Sequence, residues 1–172
     1  MDDVQIKHER AVGDDLVASI NRERKTNYVF NRRGDDGLDC GPDVIYCDEN
    51  SELGIEVVTC YYDSNDAKLK WQNTRNCQRS PKKWHGKDFD TNLTENINNN
   101  IFKKCTTKDY GQNCLLAVCI LPCLTTFKEM ENLLPQVKIP PKHKFKEIYL
   151  IGNFGITCDS NVMHAIWRLF PS

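Results

Sequence analysis

Apolar residues recur along the chain with two different periods, and the switches between them mark the elements. From residue 4 to 23, Glu9, Val12, Gly13, Leu16 and Ile20 stand at i, i+3, i+4, i+7 and i+11, one face of an α-helix. Gly13 weakens such a helix but permits close packing. Asn27-Tyr28-Val29-Phe30 reads as a short strand, and Arg32-Arg33-Gly34-Asp35-Asp36-Gly37 as a loop. Two further strands, Pro42 to Cys47 and Leu53 to Cys60, are joined by the turn-rich Asp48-Glu49-Asn50-Ser51-Glu52. In the second of them Gly54, Glu56, Val58 and Cys60 share one face, and Ile55, Val57 and Thr59 the other.

Beyond residue 61 the helical period returns. Ser64 or Asn65 can cap a helix over about 66–76, with Lys68, Trp71, Gln72 and Arg75 on one side. The Asn-rich stretch from Asp90 to Asn100 starts or precedes a helix ending near Lys104. The run Leu115-Leu116-Ala117-Val118-Cys119-Ile120-Leu121 is a strand buried on both faces, and therefore central. Thr125 to Leu134 reads as a short helix stopped by Pro135, Glu147 to Ile151 as a strand, and 162–170 as a last helix. This order predicts an α/β fold, a mixed central sheet of four to five strands flanked by helices on both faces. The first three strands should be antiparallel, because short turns join them, and the later ones arrive through helical crossovers. With 172 residues and no long linker, the chain suits a single domain.

Each hairpin strand carries one carboxylate among apolar neighbours. With a turn centred on Glu49-Asn50, facing residues have numbers that add to 99, which sets Asp43 opposite Glu56 with Cβ atoms roughly 4.5–5.5 Å apart. Two carboxylates that close repel unless a proton or a cation lies between them. Mg²⁺, which takes one or two carboxylates plus waters or substrate phosphates, suits such a pair. Alternatively, Pro42-Asp43 is only a turn opening a strand, and Glu56 faces solvent on an edge. An acid flanked by Ile55, Val57 and Val58 otherwise needs a partner.

Composition narrows the classes. Hydrophobic content is 40% and charged content 27%, ordinary for a globular protein. No apolar run approaches a membrane span, and Met1-Asp2-Asp3 begins no secretory signal, so the expected compartment is cytoplasmic. The net charge of −1 hides an asymmetry: residues 1–66 carry 16 acidic and 7 basic side chains, residues 67–172 carry 8 and 16. Lys82, Lys83 and Lys87, then Lys103, Lys104 and Lys108, then Lys138, Lys142, Lys144 and Lys146 form basic clusters that could hold a phosphate backbone, or simply a solvated surface. The nine cysteines include no C-x-x-C pair, and several lie in apolar strands, as structural thiols do. His8, His85, His143 and His164 show no ligand spacing and read as surface residues. Asp35, Asp36 and Asp39 read as a solvated loop bordering Asp43.

The helix carrying Glu9, the Pro42-Asp43 dipeptide, and Glu56-Val57-Val58 after twelve intervening residues resemble the PD-(D/E)xK nuclease superfamily, over roughly residues 5–121. The resemblance implies a restriction-endonuclease-like αβββαβ core, with 122–172 as an extension packing on it. It also implies Mg²⁺- or Mn²⁺-dependent hydrolysis of DNA phosphodiesters. By that likeness Asp43, Glu56 and a backbone carbonyl near Val57 would hold the metal, and Glu9 would join the site. A homodimer is compatible, since duplex cutters often pair so that each subunit addresses one strand. The chain departs from the motif at one position: the lysine two residues after the second acid is Val58. Either its role has moved to the following helix, with Lys68 the best candidate and Lys70 the second, or catalysis is lost and the fold binds nucleic acid or a protein partner. Arg75, Lys82, Lys83 and Lys87 would contact phosphates, setting affinity rather than sequence choice. Trp71 or Trp84 could stack on a base or pack in the core. A cysteine-dependent zinc or redox protein is a third reading.

Overall fold

The computed structural model describes residues 3–34, 41–61, 89–107, 109–111, 113–121, 127–156 and 162–171. Helix α1 (Asp3–Arg24) leads into β1 (Val29–Arg33), β2 (Val44–Cys47) and β3 (Glu52–Cys60). Helix α2 (Phe89–Thr107), β4 (Cys114–Ile120), the short α3 (Phe127–Leu133), β5 (Glu147–Ile156) and β6 (Val162–Phe170) follow. The strands form one sheet in chain order, β1-β2-β3-β4-β5-β6. The first three are antiparallel, β3, β4 and β5 run parallel, and β6 returns antiparallel to β5. The fold is therefore α/β with a mixed open sheet, of six strands rather than the four to five expected.

The extra strand is β6, over residues 162–170, which had been expected to form a last helix. Ala165-Ile166-Trp167-Arg168-Leu169 resolves into alternation once paired: Ile166 packs toward one layer, Trp167 and Leu169 toward the other. A short, nearly continuous apolar run carries no decisive period of its own, and the open edge of β5 decides it.

Strand alternation divides the core into two layers. Leu115, Ala117 and Cys119 of β4 face α1, where Val12, Leu16, Val17 and Ile20 meet Val44, Tyr46, Ile55 and Val57. Leu116, Val118 and Ile120 face the opposite side and pack against Leu93, Ile97 and Ile101 of α2 and Met130 and Leu133 of α3. All seven residues of β4 are buried, as a strand covered on both faces requires. α1 reaches the sheet closely because Gly13 has no side chain: a Cβ there would lie 2.7 Å from the Tyr46 hydroxyl and 2.9 Å from Val44 Cγ2. The Tyr46 hydroxyl, in turn, donates to Asp14 at 2.8 Å. At the other end of α1, Arg24 reaches the buried Glu147 at 2.5 Å and the Tyr149 hydroxyl at 2.8 Å, tying the helix to β5.

Candidate functional site

The hairpin turn is set locally. Asp48 accepts from the backbone N–H groups of Asn50 and Ser51, both at 2.8 Å, the side-chain turn that Asp favours. Pairing then follows the expected register, Val44 with Ile55 through Cys47 with Glu52. β2 begins at Val44, while β3 continues to Cys60 beside β4 alone. The two strands fork at Asp43.

Pro42, which donates no backbone hydrogen bond, sits at this fork against Gly54, where a Cβ would meet Pro42 Cγ at 2.8 Å. Asp43 follows, and its carboxylate accepts the N–H of Val57 at 2.7 Å. That N–H would have paired with β2 had the strand gone on. In an extended strand the carbonyl of a residue projects to the same side as its N–H, so Val57 turns both groups toward Asp43.

Glu56, 3% exposed, belongs to the α2 face of β3. Its Oε1 is engaged by the Lys104 ammonium of α2 and by the Tyr110 hydroxyl at 3.0 Å. Tyr110 is held in turn by stacking on Phe145, with ring centroids 5.2 Å apart. Glu9, 6% exposed, comes from α1 and accepts from Gln5 at 2.8 Å. Asp43 at the strand end thus feels the charges of Glu56, on one face of the sheet, and of Glu9, on α1. Burial, followed by the charges of Glu56 and Glu9, pushes the Asp43 carboxyl up to about 7 against the opposing pull of the Val57 N–H and Lys104.

A cleft of about 290 Å³ opens beside these groups, lined by Gln5, His8 and Glu9 of α1, Val57 to Thr59 and Tyr61 at the end of β3, and Lys104. His8, expected at the surface, is half-buried there, with Nε2 2.9 Å from the Thr59 hydroxyl. Burial holds its imidazole below the usual histidine range. Val58, at the motif's lysine position, forms part of the cleft wall and packs against the α2 layer.

The structure joins Asp43 to Val57 by a hydrogen bond and sets both within electrostatic reach of Glu56, on the α2 face of the sheet, and of Glu9, on α1. Lys68 and Lys70, Arg75, Lys82, Lys83 and Lys87, the tryptophans Trp71 and Trp84, and Asp35, Asp36 and Asp39 lie outside the described residues. Lys104, Tyr110 and His8 were not anticipated as site residues. Lys104 had one signal: it continues the buried stripe of Leu93, Ile97 and Ile101 at i+3, a position where a lysine is out of place unless it meets an acid. Among the described residues no three His, Cys, Asp or Glu side chains converge as a ligand set for a metal ion. Cys47, Cys60, Cys105 and Cys114 are free thiols. No described helix is long and apolar enough to cross a membrane. No family model matches the chain, and neither a curated protein nor a solved structure does.

Proposed function

We propose that this chain is a metal-dependent nuclease that hydrolyses DNA phosphodiester bonds, of the PD-(D/E)xK type, with the lysine supplied by α2 as Lys104. The element order supports this reading: a helix, three antiparallel strands, a crossover helix and a parallel strand. The observation that carries it is the fork itself, where Asp43 accepts the Val57 N–H at 2.7 Å next to the strand residue that carries the buried Glu56. A carboxyl held beside two buried acids and pushed up to about 7 is a group waiting for positive charge, and a divalent cation supplies it. Mg²⁺ needs only one or two protein carboxylates, so Asp43 and Glu56 with the Val57 carbonyl suit it without a third acidic ligand. Bound there, the ion would lower the pKa of a coordinated water and polarise the scissile phosphate.

The chain's own groups do the rest. Lys104 places an ammonium beside Glu56, where it neutralises charge growing on the phosphate oxygens. Tyr110 fixes the Glu56 carboxylate from the other side. Glu9, from α1, would accept a hydrogen bond from the attacking water. The test is cleavage of plasmid and linear DNA with Mg²⁺ or Mn²⁺ by the wild type, Asp43→Asn, Glu56→Gln and Lys104→Met. The expected result is loss of at least a hundredfold in each variant; equal activity in all four proteins would reject these roles.

A second reading has one observation in its favour. Glu56 is already satisfied by Lys104 and Tyr110, as in a site that has exchanged a cation for an internal ion pair. The fold would then be an inactive module binding nucleic acid or a protein partner. Calorimetry with Mn²⁺ separates the two: no heat of binding at pH 8 favours the module.

A further inference from the structure

The cleft beside the acids is lined by polar groups, and two of them, His8 and Thr59, have no part in the hydrolysis proposed above. α1 contributes Gln5, His8 and Glu9, β3 contributes Thr59, and α2 contributes Lys104. Their charges are sorted. Lys104 lies against Glu56, where a phosphate would sit. Away from that ion pair stand a buried carboxylate that accepts from a carboxamide, and an imidazole paired with a hydroxyl. Carboxylate, amide, imidazole and hydroxyl are the groups that read the hydrogen-bonding edge of a base. At about 290 Å³ the cleft is at the small end of ligand sites, sized for one nucleotide and too small for a base pair. In a duplex that edge is hidden by pairing, so a base can enter only when it is unpaired.

We propose that this cleft is a subsite for a single unpaired nucleotide whose phosphate faces Lys104, so that the substrate is single-stranded or frayed DNA. The proposal rests on the nuclease reading for its choice of nucleic acid. The probe is a fluorescein-labelled single-stranded dodecamer, compared with its blunt duplex, by fluorescence anisotropy with Ca²⁺. Gln5 is exposed on α1, so Gln5→Trp fills the cleft without entering the core. Thr59→Val removes one hydroxyl and keeps the β-branched shape.

The single strand should bind at least tenfold tighter than the duplex. Gln5→Trp should weaken single-strand binding tenfold or more, and Thr59→Val about threefold, while duplex binding changes less than twofold. Duplex binding as tight as the single strand, or single-strand binding indifferent to both substitutions, overturns the proposal. The two readings fail separately. Mg²⁺-dependent cleavage that needs Glu56 but prefers a matched duplex leaves the nuclease and removes the cleft assignment. The expected binding pattern without any cleavage leaves the cleft and removes the nuclease.

Discussion

Asp43→Asn should make the protein more stable while removing the proposed nuclease activity, and the gain should depend on pH. The Asp43 carboxyl is raised from its ordinary 3.8 to about 7, first by burial and then by Glu56 and Glu9. A carboxyl raised in the folded state binds more protons than in the unfolded chain between those two values. Stability is therefore lost as pH rises from about 4 to about 7, and the loss is complete above 7. Each factor of ten in acidity corresponds to about 1.4 kcal/mol, so the ionised site carries at most about 4 kcal/mol of unfavourable free energy. Asparagine is neutral and keeps an oxygen to accept the Val57 N–H. It gives up a charge-assisted hydrogen bond, a difference of about 1 kcal/mol. The net gain at pH 8 is then about 2–3 kcal/mol. At pH 4, where Asp43 is protonated in the fold, the two proteins should agree within about 0.5 kcal/mol.

The assay is urea unfolding with EDTA present, followed by circular dichroism at pH 4, 5, 6, 7 and 8. For a domain of 172 residues a gain of that size raises Tm by roughly 4–12 °C, so thermal melts give an independent check. A stability difference constant across the series, or Asp43→Asn less stable at pH 8, would refute the reasoning from like charges. Excess Mg²⁺ should close the gap at pH 8 by stabilising the wild type alone, because a ligand that binds only the folded state adds RT ln(1 + [L]/Kd).

Lys104→Met leaves Glu56 buried without its cation and should cost about 3 kcal/mol in urea unfolding; pairing it with Glu56→Gln should recover most of that loss, and a double variant as unstable as the sum of the singles would refute the coupling. Gly54→Ala drives a Cβ to 2.8 Å from Pro42 Cγ, so Pro42 must shift; the expected cost is about 1–3 kcal/mol, with faster amide exchange at Val57 as the Asp43 bond loosens. Burial pushes Glu147 up, but its hydrogen bonds from Arg24 and Tyr149 outweigh this and hold it below the usual glutamate range. A lowered carboxyl gives stability that is present above the unfolded value and lost as pH falls through the folded one. Arg24→Met should therefore weaken the fold at pH 7 by about 3 kcal/mol and flatten the acid limb of the stability profile, which a pH series of melts would detect.

Elements whose local pattern admits one reading were legible in the chain, and those whose pattern admits two were not. The register of β2 on β3 follows from the Asp48 turn together with the alternation in β3, and both demand the same pairing. β4 needed no partner to be recognised, since only a strand covered on both faces tolerates such a run. β6 had only its hydrophobicity, and its form depends on the edge that the preceding β5 offers it. The Asn-rich start of α2 is weak in helix propensity and looked half like a loop. In the fold those asparagines fasten the helix to its surroundings: Asn96 donates to the Tyr61 carbonyl at 3.0 Å, and Asn98 bonds both the Gln136 carbonyl and the Lys138 N–H. Leu93, Ile97 and Ile101 supply the burial that propensity does not.

On the proposed nuclease reading, the absence of a lysine at position 58 has the same physical origin. The motif places an ammonium two residues after the acid because i and i+2 share a strand face. A buried Glu56 requires only that a positive charge face that side of the sheet, and any element laid across it can provide one. With Val58 in the strand, the demand becomes stricter, since Glu56 is buried and an unpaired carboxylate there would cost several kcal/mol. The sequence therefore implied a cation without saying which. The partner that fills the place, Lys104, is 48 residues away in the chain, and the hydroxyl that completes it, Tyr110, is 54 away. Contacts of that separation leave no periodic trace, and a lysine breaking the inward stripe of α2 was the one local sign. An acid stranded in an apolar strand and a cation stranded on an apolar helix face are each unfavourable alone, and their shared remedy is to meet.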